Sequence, residues 1–218
     1  RCTLGALLVD VYSASAVFQM LVEQDFYLGA HKQIYRVLAD LYDRLANADL
    51  VLVGEALARE KKLADVGGEE YLFRLAEEVP SAANAVYYAQ LVRDASIRRQ
   101  LVYKCTAIIS AAGLLNAIEI SGKKMSNVRL VINGAGASAN SCAKMYIAVG
   151  VKKENITMLD SKGVIHKGRK DLDQYKSFFA SENTKINTLE EAIKGADVFV
   201  GLSKGNILTQ DMVRSMNK

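Results

Sequence analysis

The chain has 218 residues, of which 50% are hydrophobic and 24% charged, with a formal net charge of +4. This composition excludes an intrinsically disordered chain and a small disulfide-stabilised scaffold. No uncharged apolar run approaches the roughly 20 residues that a membrane span needs, so no membrane partner is expected. The first 16 residues have the outline of a signal peptide, but Asp10 interrupts their apolar run, and we interpret them as helix.

The three cysteines, Cys2, Cys105 and Cys142, are odd in number and far apart in the sequence. None lies in a CxxC or zinc-ligand spacing, so neither a disulfide framework nor a metal site is predicted. This cysteine usage fits a reducing compartment best, and we expect a cytoplasmic location.

The charge changes sign along the chain. Residues 1–104 carry 12 Lys and Arg against 14 Asp and Glu, a net of −2, whereas residues 105–218 carry 16 against 10, a net of +6. This change predicts two modules, 1–104 and 105–218. Neither net charge is large enough to predict direct binding to nucleic acid.

Helical spacing of apolar residues dominates the first module. It is clearest in two series: Leu4, Leu7, Leu8 and Val11, then Ile34, Leu38, Leu41 and Leu45. Further helices are predicted over 51–63, over 69–78 and from 85 to about 101, with stop signals at 64–68 and at Pro80. The module is therefore predicted to be an all-α domain of roughly six short helices.

No catalytic constellation is visible in the helical module. His31 is its only histidine, and a packed or capping role fits it better than catalysis. The acidic pairs at 69–70 and 77–78 are adjacent in sequence and cannot face each other on a helix. The chain contains no GxxxxGK[ST] phosphate loop, which excludes a P-loop ATPase motor from these 218 residues.

Several segments of the first module resemble the N-terminal domain of the bacterial DnaB-type replicative DNA helicase. They are LGALLVD at 4–10, DFYLGAHKQIY at 25–35, LADVGGEEYL at 63–72, EVPSAANAVYYAQLVRD at 78–94 and IRRQL at 97–101. The resemblance implies a helical collar domain that self-associates and engages primase or helicase subunits, but not the motor. Leu28-Gly29 is a departure, since the family often has a proline there.

The second module changes to a strand–helix pattern. A helix is predicted over 108–120, then strands at 128–132, 156–160 and 196–202, with helices at 140–149, 188–194 and 209–216. This βαβαβ order predicts a Rossmann-like α/β unit with a parallel sheet. Such a three-stranded half sheet would leave an unpaired strand next to the glycine turn, which is an oligomerisation or aggregation liability.

A GxGxxA motif follows the first of these strands and opens a helix. Gly134 permits the tight turn, Gly136 lets a pyrophosphate approach the free helix amides, and Ala139 allows close packing of helix and strand. Asp160 ends the next strand, where it would accept hydrogen bonds from the ribose hydroxyls. The motif therefore predicts a dinucleotide site; a glycine turn in an unrelated α/β fold is the alternative.

The same module resembles the NAD(P)-binding domain of malic enzyme, from Thr106 onward. The resemblance lies in TAIISAAGLLNAIEISGKK, VRLVINGAGASANSCAK, MLDSKGVIHKGR and TLEEAIKGADVFVGLSKGNILTQDMVRSM. It implies oxidative decarboxylation of malate with NAD or NADP and a divalent metal. It also implies that Ser138 lies at the pyrophosphate turn, that Ser161 and Lys162 join Asp160 at the adenosine ribose, and that Ser203 follows the strand along the cofactor.

The choice between NAD and NADP stays open in the sequence. Asp160 favours NAD, because a carboxylate repels a 2′-phosphate. A basic group just beyond it leaves NADP possible, although a solvated loop is an equal alternative; the group is Lys162, Lys167, Arg169 and Lys170.

The catalytic residues of malic enzyme have no counterparts here. Where the family has a D-D-x-H-G-T-A run, this sequence has Tyr103-Lys104-Cys105-Thr106-Ala107, and we interpret Tyr103 and Lys104 as the end of a helix. Without carboxylate ligands no hard-cation site is predicted, and no catalytic residue is assigned. The family also continues with a strand and an N-P-x-P-E loop beyond the matching segment, so the resemblance is to a truncated domain.

Three functions remain open. The first is a fusion of a helicase-type collar domain with an NAD-binding half domain, not catalytic by itself. The second is a malic-type oxidoreductase that takes its metal site from elsewhere, and the third is an interaction module whose glycine turn binds nothing. A gene rearrangement and an artificial chimera both fit such a join.

Overall fold

The computed structural model describes residues 1–10, 14–45 and 48–217. Contacts divide the chain into two compact units, Arg1–Gln100 and Leu101–Lys218. The predicted modules meet at 104/105, four residues further along. Each unit is described by itself.

The first unit is helical throughout the residues that the structure describes. Its helices are α1 Cys2–Val9, α2 Ala14–Met20, α3 Gly29–Leu45, α4 Leu50–Arg59, α5 Gly68–Glu77 and the first part of α6, Ala85–Ser121. Short 3-10 turns lie at Glu23–Asp25, Ala64–Val66 and Ala82–Asn84. The prediction of an all-α domain is confirmed; Val11 of the first apolar series lies outside the described residues.

Helix α4 ends earlier than the spacing predicts. The sequence favours helix over 51–63, but α4 stops at Arg59, because Lys61 adopts a left-handed backbone with φ 58°. A left-handed residue cannot continue a right-handed helix. Gly67, with φ 98°, then caps the start of α5.

One apolar cluster forms the interior of the first unit, and two polar side chains are buried with it. Leu4, Ile34 and Leu57 are fully buried in this cluster. Asp25 is also buried, and its carboxylate accepts from Arg93 Nη1 at 2.9 and 3.0 Å. Buried His31 lies 2.7 Å from the Tyr71 hydroxyl, so the packed role predicted for this histidine fits its position.

Helix α6 has 37 residues and runs through the region where two separate helices are predicted. The segment 102–107 contains neither proline nor glycine, so nothing in it breaks the helix. Tyr103 and Lys104 therefore lie within α6 and not at a helix end. Among the described residues, Ala82–Ser121 is long and apolar enough to cross a membrane by length and composition, which is weak evidence because core helices pass the same test.

The second unit is built on a four-stranded sheet of order β3-β2-β1-β4. The strands are β1 Leu130–Asn133, β2 Ile156–Asp160, β3 Gly163–Val164 and β4 Val198–Gly201. Strand β1 pairs in parallel with both β2 and β4, which confirms the predicted parallel core. Because β1 is a central strand, the expectation of an unpaired strand next to the glycine turn is wrong. The short β3 is unpredicted; it pairs antiparallel to β2 through a tight hairpin and makes the sheet mixed.

Helices cover both faces of this sheet. Alternate residues of β1 point to opposite faces, as strand geometry requires: Leu130 and Ile132 join one apolar cluster and Val131 the other. The first cluster also holds Ala107, Ala111, Leu114 and Ile118 of α6 and the inner side of α7 Ala137–Ala148. The second holds residues of α9 Leu189–Ile193 and α10 Gln210–Arg214. A short helix, α8 Gln174–Phe179, is unpredicted.

Candidate functional site

A tight turn joins β1 to α7, and its first glycine is sterically required. Gly134 has φ 132°, a conformation that L side chains rarely adopt. A β-carbon built on it would lie 3.0 Å from the carbonyl oxygen of Leu202, which follows β4. The Gly134 amide donates to the Leu159 carbonyl of β2 at 2.9 Å. This glycine therefore lets three neighbouring strands meet closely at one point.

The second glycine of the turn faces open space. Gly136 is the N-cap of α7, and no side chain caps the helix there. A β-carbon built on Gly136 would meet no heavy atom within 4 Å, and its φ of −81° is ordinary. The first amides of α7 thus point to an open region, where the helix dipole favours an anion. A pyrophosphate fits this cradle, and a side chain on Gly136 would fill it.

Residues in the first two turns of α7 stabilise the β1–α7 turn. Asn140 Nδ2 donates to the Gly136 carbonyl at 3.1 Å, while its buried Oδ1 has no hydrogen-bond partner among the described residues. Ala139 is 1% exposed and packs in the core, as its predicted role requires. Ser138 hydrogen-bonds to the thiol of buried Cys142, and burial raises the pKa of that thiol. Cys142 is therefore a packed thiol under the turn.

The order of the sheet places this turn at a topological switch point. From β1 the chain crosses through α7 to β2 on one side, and later returns to β4 on the other side of β1. In open α/β sheets, ligands bind at the carboxyl ends of the strands where the order reverses in this way. The predicted site residues are brought to that edge: Gly134, Gly136, Ser138 and Ala139 after β1, Asp160, Ser161 and Lys162 at the end of β2, and Ser203 after β4.

Asp160 lies where it is predicted, but its oxygens are already engaged. Arg169 donates from Nη1 to Oδ1 at 2.8 Å and from Nη2 to Oδ2 at 2.9 Å. The Lys162 amide donates to Oδ1 and Lys176 Nζ to Oδ2, both at 2.9 Å. A carboxylate has about four acceptor positions, and these four donors fill them. The predicted hydrogen bonds to ribose hydroxyls would therefore have to displace a lysine or the arginine.

The electrostatics of this corner are dominated by the same donors. Hydrogen bonds from Arg169, against a smaller opposing effect of burial, hold the pKa of Asp160 well below its usual range. Arg169 also binds Asp171 at 2.9 Å, and Lys162 Nζ reaches Asp171 at 2.6 Å. Three cations thus pair with two carboxylates in this group of side chains.

Lys176 belongs to this group but is not predicted from the sequence, whereas Lys167 and Lys170 are predicted and lie apart from it. Lys176 was not predicted, because it lies on α8; the signal for that helix is Asp173, whose side chain caps it by accepting from the Lys176 amide. Lys167 pairs instead with Glu182. Lys170 is exposed, as a solvated loop residue would be.

No group of three or more His, Cys, Asp or Glu side chains that could hold a metal ion occurs in the part of the chain that the structure describes. Tyr103 is half-buried and Lys104 is exposed, both on α6. The site therefore offers an anion cradle and a basic corner, and its described residues offer no cluster of cation ligands.

Together these features define a Rossmann-like α/β unit that continues from a helical unit through α6. Residues 103–218 belong to the family described as malic enzyme, NAD binding domain. Residues 1–94 match the family described as DnaB-like helicase N terminal domain. The resemblance of both modules is thereby confirmed.

Known proteins resemble one module or the other. An NADP-dependent malic enzyme of Halomonas elongata is 49% identical over 131 residues, which are 55% of this chain and 31% of that protein. One of Haemophilus influenzae is 51% identical over 112 residues, 51% of this chain and 15% of that protein. The crystal structure of the N-terminal domain of DnaB helicase from Mycobacterium tuberculosis is 36% identical, with a TM-score of 0.49, and the match covers 51% of this chain and 81% of that one. The chain spans less than a third of either malic enzyme.

Proposed function

We propose that the second unit binds a nicotinamide dinucleotide at the β1–α7 turn and that the first unit serves self-association and contacts with primase or helicase subunits. The observation that carries the binding proposal is the open space over Gly136, at the uncapped N-terminus of α7 and at the switch point of the sheet. Membership of the malic enzyme NAD-binding family supports a nicotinamide cofactor. When bound, such a cofactor would supply a hydride acceptor or donor.

Titration of NADH and NADPH fluorescence tests the binding proposal. Saturable binding is expected for the chain. Gly136→Val should abolish it, because the added side chain fills the cradle. The backbone at this position has a φ that valine also adopts, so the substitution should not strain the turn. Gly29→Val in the first unit is the matched control, since a β-carbon there also meets nothing within 4 Å. Equal binding by both variants would place the cofactor elsewhere.

The basic corner supports acceptance of NADP as well as NAD. With its four acceptor positions filled by Arg169, Lys162 and Lys176, Asp160 does not present a free carboxylate to a 2′-phosphate. The 2′-phosphate would instead contact the solvent-exposed parts of Lys162 and Lys176. The side chain of Lys162 is 68% exposed. The Halomonas and Haemophilus relatives are named as NADP-dependent, which agrees with this proposal.

We further propose that these 218 residues do not decarboxylate malate by themselves. The segment 103–107 lies inside α6 and carries no carboxylate or histidine, and the described residues hold no metal-ligand cluster. Mixing the chain with malate, NADP and Mn²⁺ should give no reduced cofactor above background. Turnover would instead establish a malic-type oxidoreductase.

The role of the first unit rests on its match to the helicase N-terminal family. Its charge and fold fit a protein-contact domain, and we expect self-association and binding of primase or helicase subunits, without direct binding of nucleic acid. A reducing, cytoplasmic location fits the three free thiols. Light scattering combined with a primase pull-down tests this role. A chain whose first unit neither self-associates nor binds primase would contradict it.

A further inference from the structure

An apolar stripe on α6 lies exposed in the second unit. The same helix buries Ala107, Ala111, Leu114 and Ile118 against the sheet. We define the stripe as Leu101, Cys105, Ile108, Ala112 and Leu115, all of which are exposed. Val102, Ile109 and Ile120 extend the apolar surface beside it and are 61%, 73% and 88% exposed. So much exposed apolar surface on one helix is typical of an interaction face.

The spacing of the stripe is that of a coiled-coil seam. Its members follow at intervals of four, three, four and three residues, which keeps them on one side of a helix over about four turns. Large residues alternate with small ones along it: Leu101, Ile108 and Leu115 are large, and Cys105 and Ala112 are small. A seam of this kind fits another helix whose small residues lie opposite its large ones.

We propose that the occupant of the stripe is the same stripe of a second copy of this chain, packed antiparallel. When two copies are aligned about a twofold axis near residue 110, Ile108 lies opposite the partner's Ala112, and Leu115 opposite the partner's Cys105. Ile108 and Leu115 then each meet a small side chain, while Leu101 lies at the end of the seam, beside the partner's Glu119. A parallel alignment would instead stack Ile108 on Ile108 and leave the small residues facing each other across a gap.

Charge selects the same orientation. Lys104 lies near the start of the stripe and Glu119 near its end, and both are exposed. An antiparallel pair brings the lysine end of one helix beside the glutamate end of the other, whereas a parallel pair would bring like charges together. The seam is about 20 Å long at the rise of an α-helix. Its contact area is therefore smaller than about 800 Å² per partner, and the pair should be concentration-dependent.

A register-specific disulfide tests the proposal on the full chain. In Leu115→Cys the new thiol should lie opposite the native Cys105 of the other copy. Mild oxidation should therefore give a covalent dimer at least tenfold faster than in Ile120→Cys, whose thiol is exposed but off the seam. Peptide mass spectrometry should find the 105–115 pair. These two positions of one helix are about 15 Å apart, so the bond cannot form within a copy.

Two further variants distinguish association through this seam from association through the helical unit. Ile108→Glu placed in the Leu115→Cys chain should abolish the cross-link, because it puts a charge at the centre of the seam. Val213→Glu, at a 50% exposed position of α10, should leave it unchanged. Equal rates of cross-linking in Leu115→Cys and Ile120→Cys would overturn the proposal. A cross-link that persists when Ile108→Glu is added to Leu115→Cys would overturn it as well. If the protein gives no cross-link and instead floats with phosphatidylcholine vesicles in a density gradient, the stripe binds a lipid surface and the proposal is wrong.

Discussion

Asp25 in the helical unit and Asp160 in the α/β unit each accept two hydrogen bonds from one arginine. Arg93 meets Asp25 at 2.9 and 3.0 Å, and Arg169 meets Asp160 at 2.8 and 2.9 Å. The surroundings of the two pairs differ. The Asp25 side chain has no exposed surface, and its Oδ2 also accepts from the Val22 amide. Asp160 lies at the end of a strand and takes two further donors, both from lysines.

This difference separates a pair that closes a fold from a cluster at the carboxyl edge of the sheet. The Asp25 pair connects the 3-10 turn at Glu23–Asp25 to α6, and Arg99 of the same helix donates to the Asp25 carbonyl. The carboxylate itself is closed to solvent, although the Arg93 side chain is 40% exposed. At Asp160 the side chain of Lys176 is a quarter exposed and can be moved by an incoming group. The same residue types therefore form a buried pair in one unit and a more accessible cluster in the other.

The largest effect should come from removing the closed pair. Asp25→Ala leaves the Arg93 guanidinium and the Val22 amide without their acceptor, which should lower the free energy of unfolding of the first unit by about 3 kcal/mol. Hydrogen-exchange mass spectrometry on the full chain reads each unit separately, and only peptides of the first unit should lose protection. Asp40→Ala, which removes an exposed pair with Arg44, should cost less than about 0.5 kcal/mol. Equal losses in the two variants would contradict the closed role of Asp25.

A second comparison uses pH. Burial, assisted by the positive charges of the N-terminus and Arg1, lowers the pKa of His31 from 6.5 to about 4. The folded first unit therefore binds fewer protons than the unfolded chain between these two values, and its stability falls as pH falls through that window. From pH 7 to pH 5 the loss should be about 2 kcal/mol. His31→Gln should flatten the dependence, as measured by urea unfolding followed through exchange of the first unit.

The second unit should respond in a different pH window. Because the pKa of Asp160 is lowered in the fold, its stabilisation is complete above the unfolded value, which is near 4. It is lost only as pH falls below that value towards the folded pKa. Between pH 7 and pH 5 the second unit should therefore keep its stability while the first loses it. A parallel loss in both units would show that His31 is not its source.

The two units also differ in how far their sequences predict their structures. In the helical unit, periodicity predicts each long element, but not the pair Asp25–Arg93, whose members are 68 residues apart. In the α/β unit, the strand at 156–160 is found as predicted, and Gly134, Gly136 and Ala139 occupy the positions that their motif implies. The continuity of α6 is not predicted, because the helical stretches that end near 101 and begin at 108 are assigned to two different modules.

The finer features of the site depend on tertiary contacts. Asp160 is predicted as a free ribose acceptor, since nothing local indicates that Lys176, 16 residues later, reaches it through the unpredicted α8. The hairpin strand β3 is only two residues long, below the length at which alternation can be recognised. The order β2-β1-β4, which creates the switch point, depends on the pairing of β4 with β1, about 68 residues apart, and has no local signal.

The third prediction sharpens the recognition role of the Asp160 cluster. In Arg169→Gln the carboxylate loses its bidentate partner, so it should become available to ribose hydroxyls and should repel a 2′-phosphate. The ratio of NADPH to NADH affinity should fall about tenfold, which corresponds to about 1.4 kcal/mol. Fluorescence titration of both cofactors measures it. Lys167→Gln, which removes a charge of the same loop that pairs with Glu182, should leave the ratio unchanged; an equal fall in both variants would point to net charge alone.

The smallest expected effect is on stability and compares the N-caps of two helices, one in each unit. Helix α9 begins with a capping box, in which Thr188 Oγ1 accepts from the Glu191 amide at 3.2 Å and Glu191 accepts from the Thr188 amide at 3.0 Å. Helix α4 begins with Asp49 alone, which accepts from the Leu52 amide at 2.9 Å. Thr188→Ala should therefore cost the second unit about 1 kcal/mol, because it also loosens the glutamate that holds the same turn. Asp49→Ala should cost the first unit about 0.5 kcal/mol, since one exposed bond is lost. Urea unfolding read by exchange in each unit measures both, and a larger loss in Asp49→Ala would show that the reciprocal bond at α9 adds nothing.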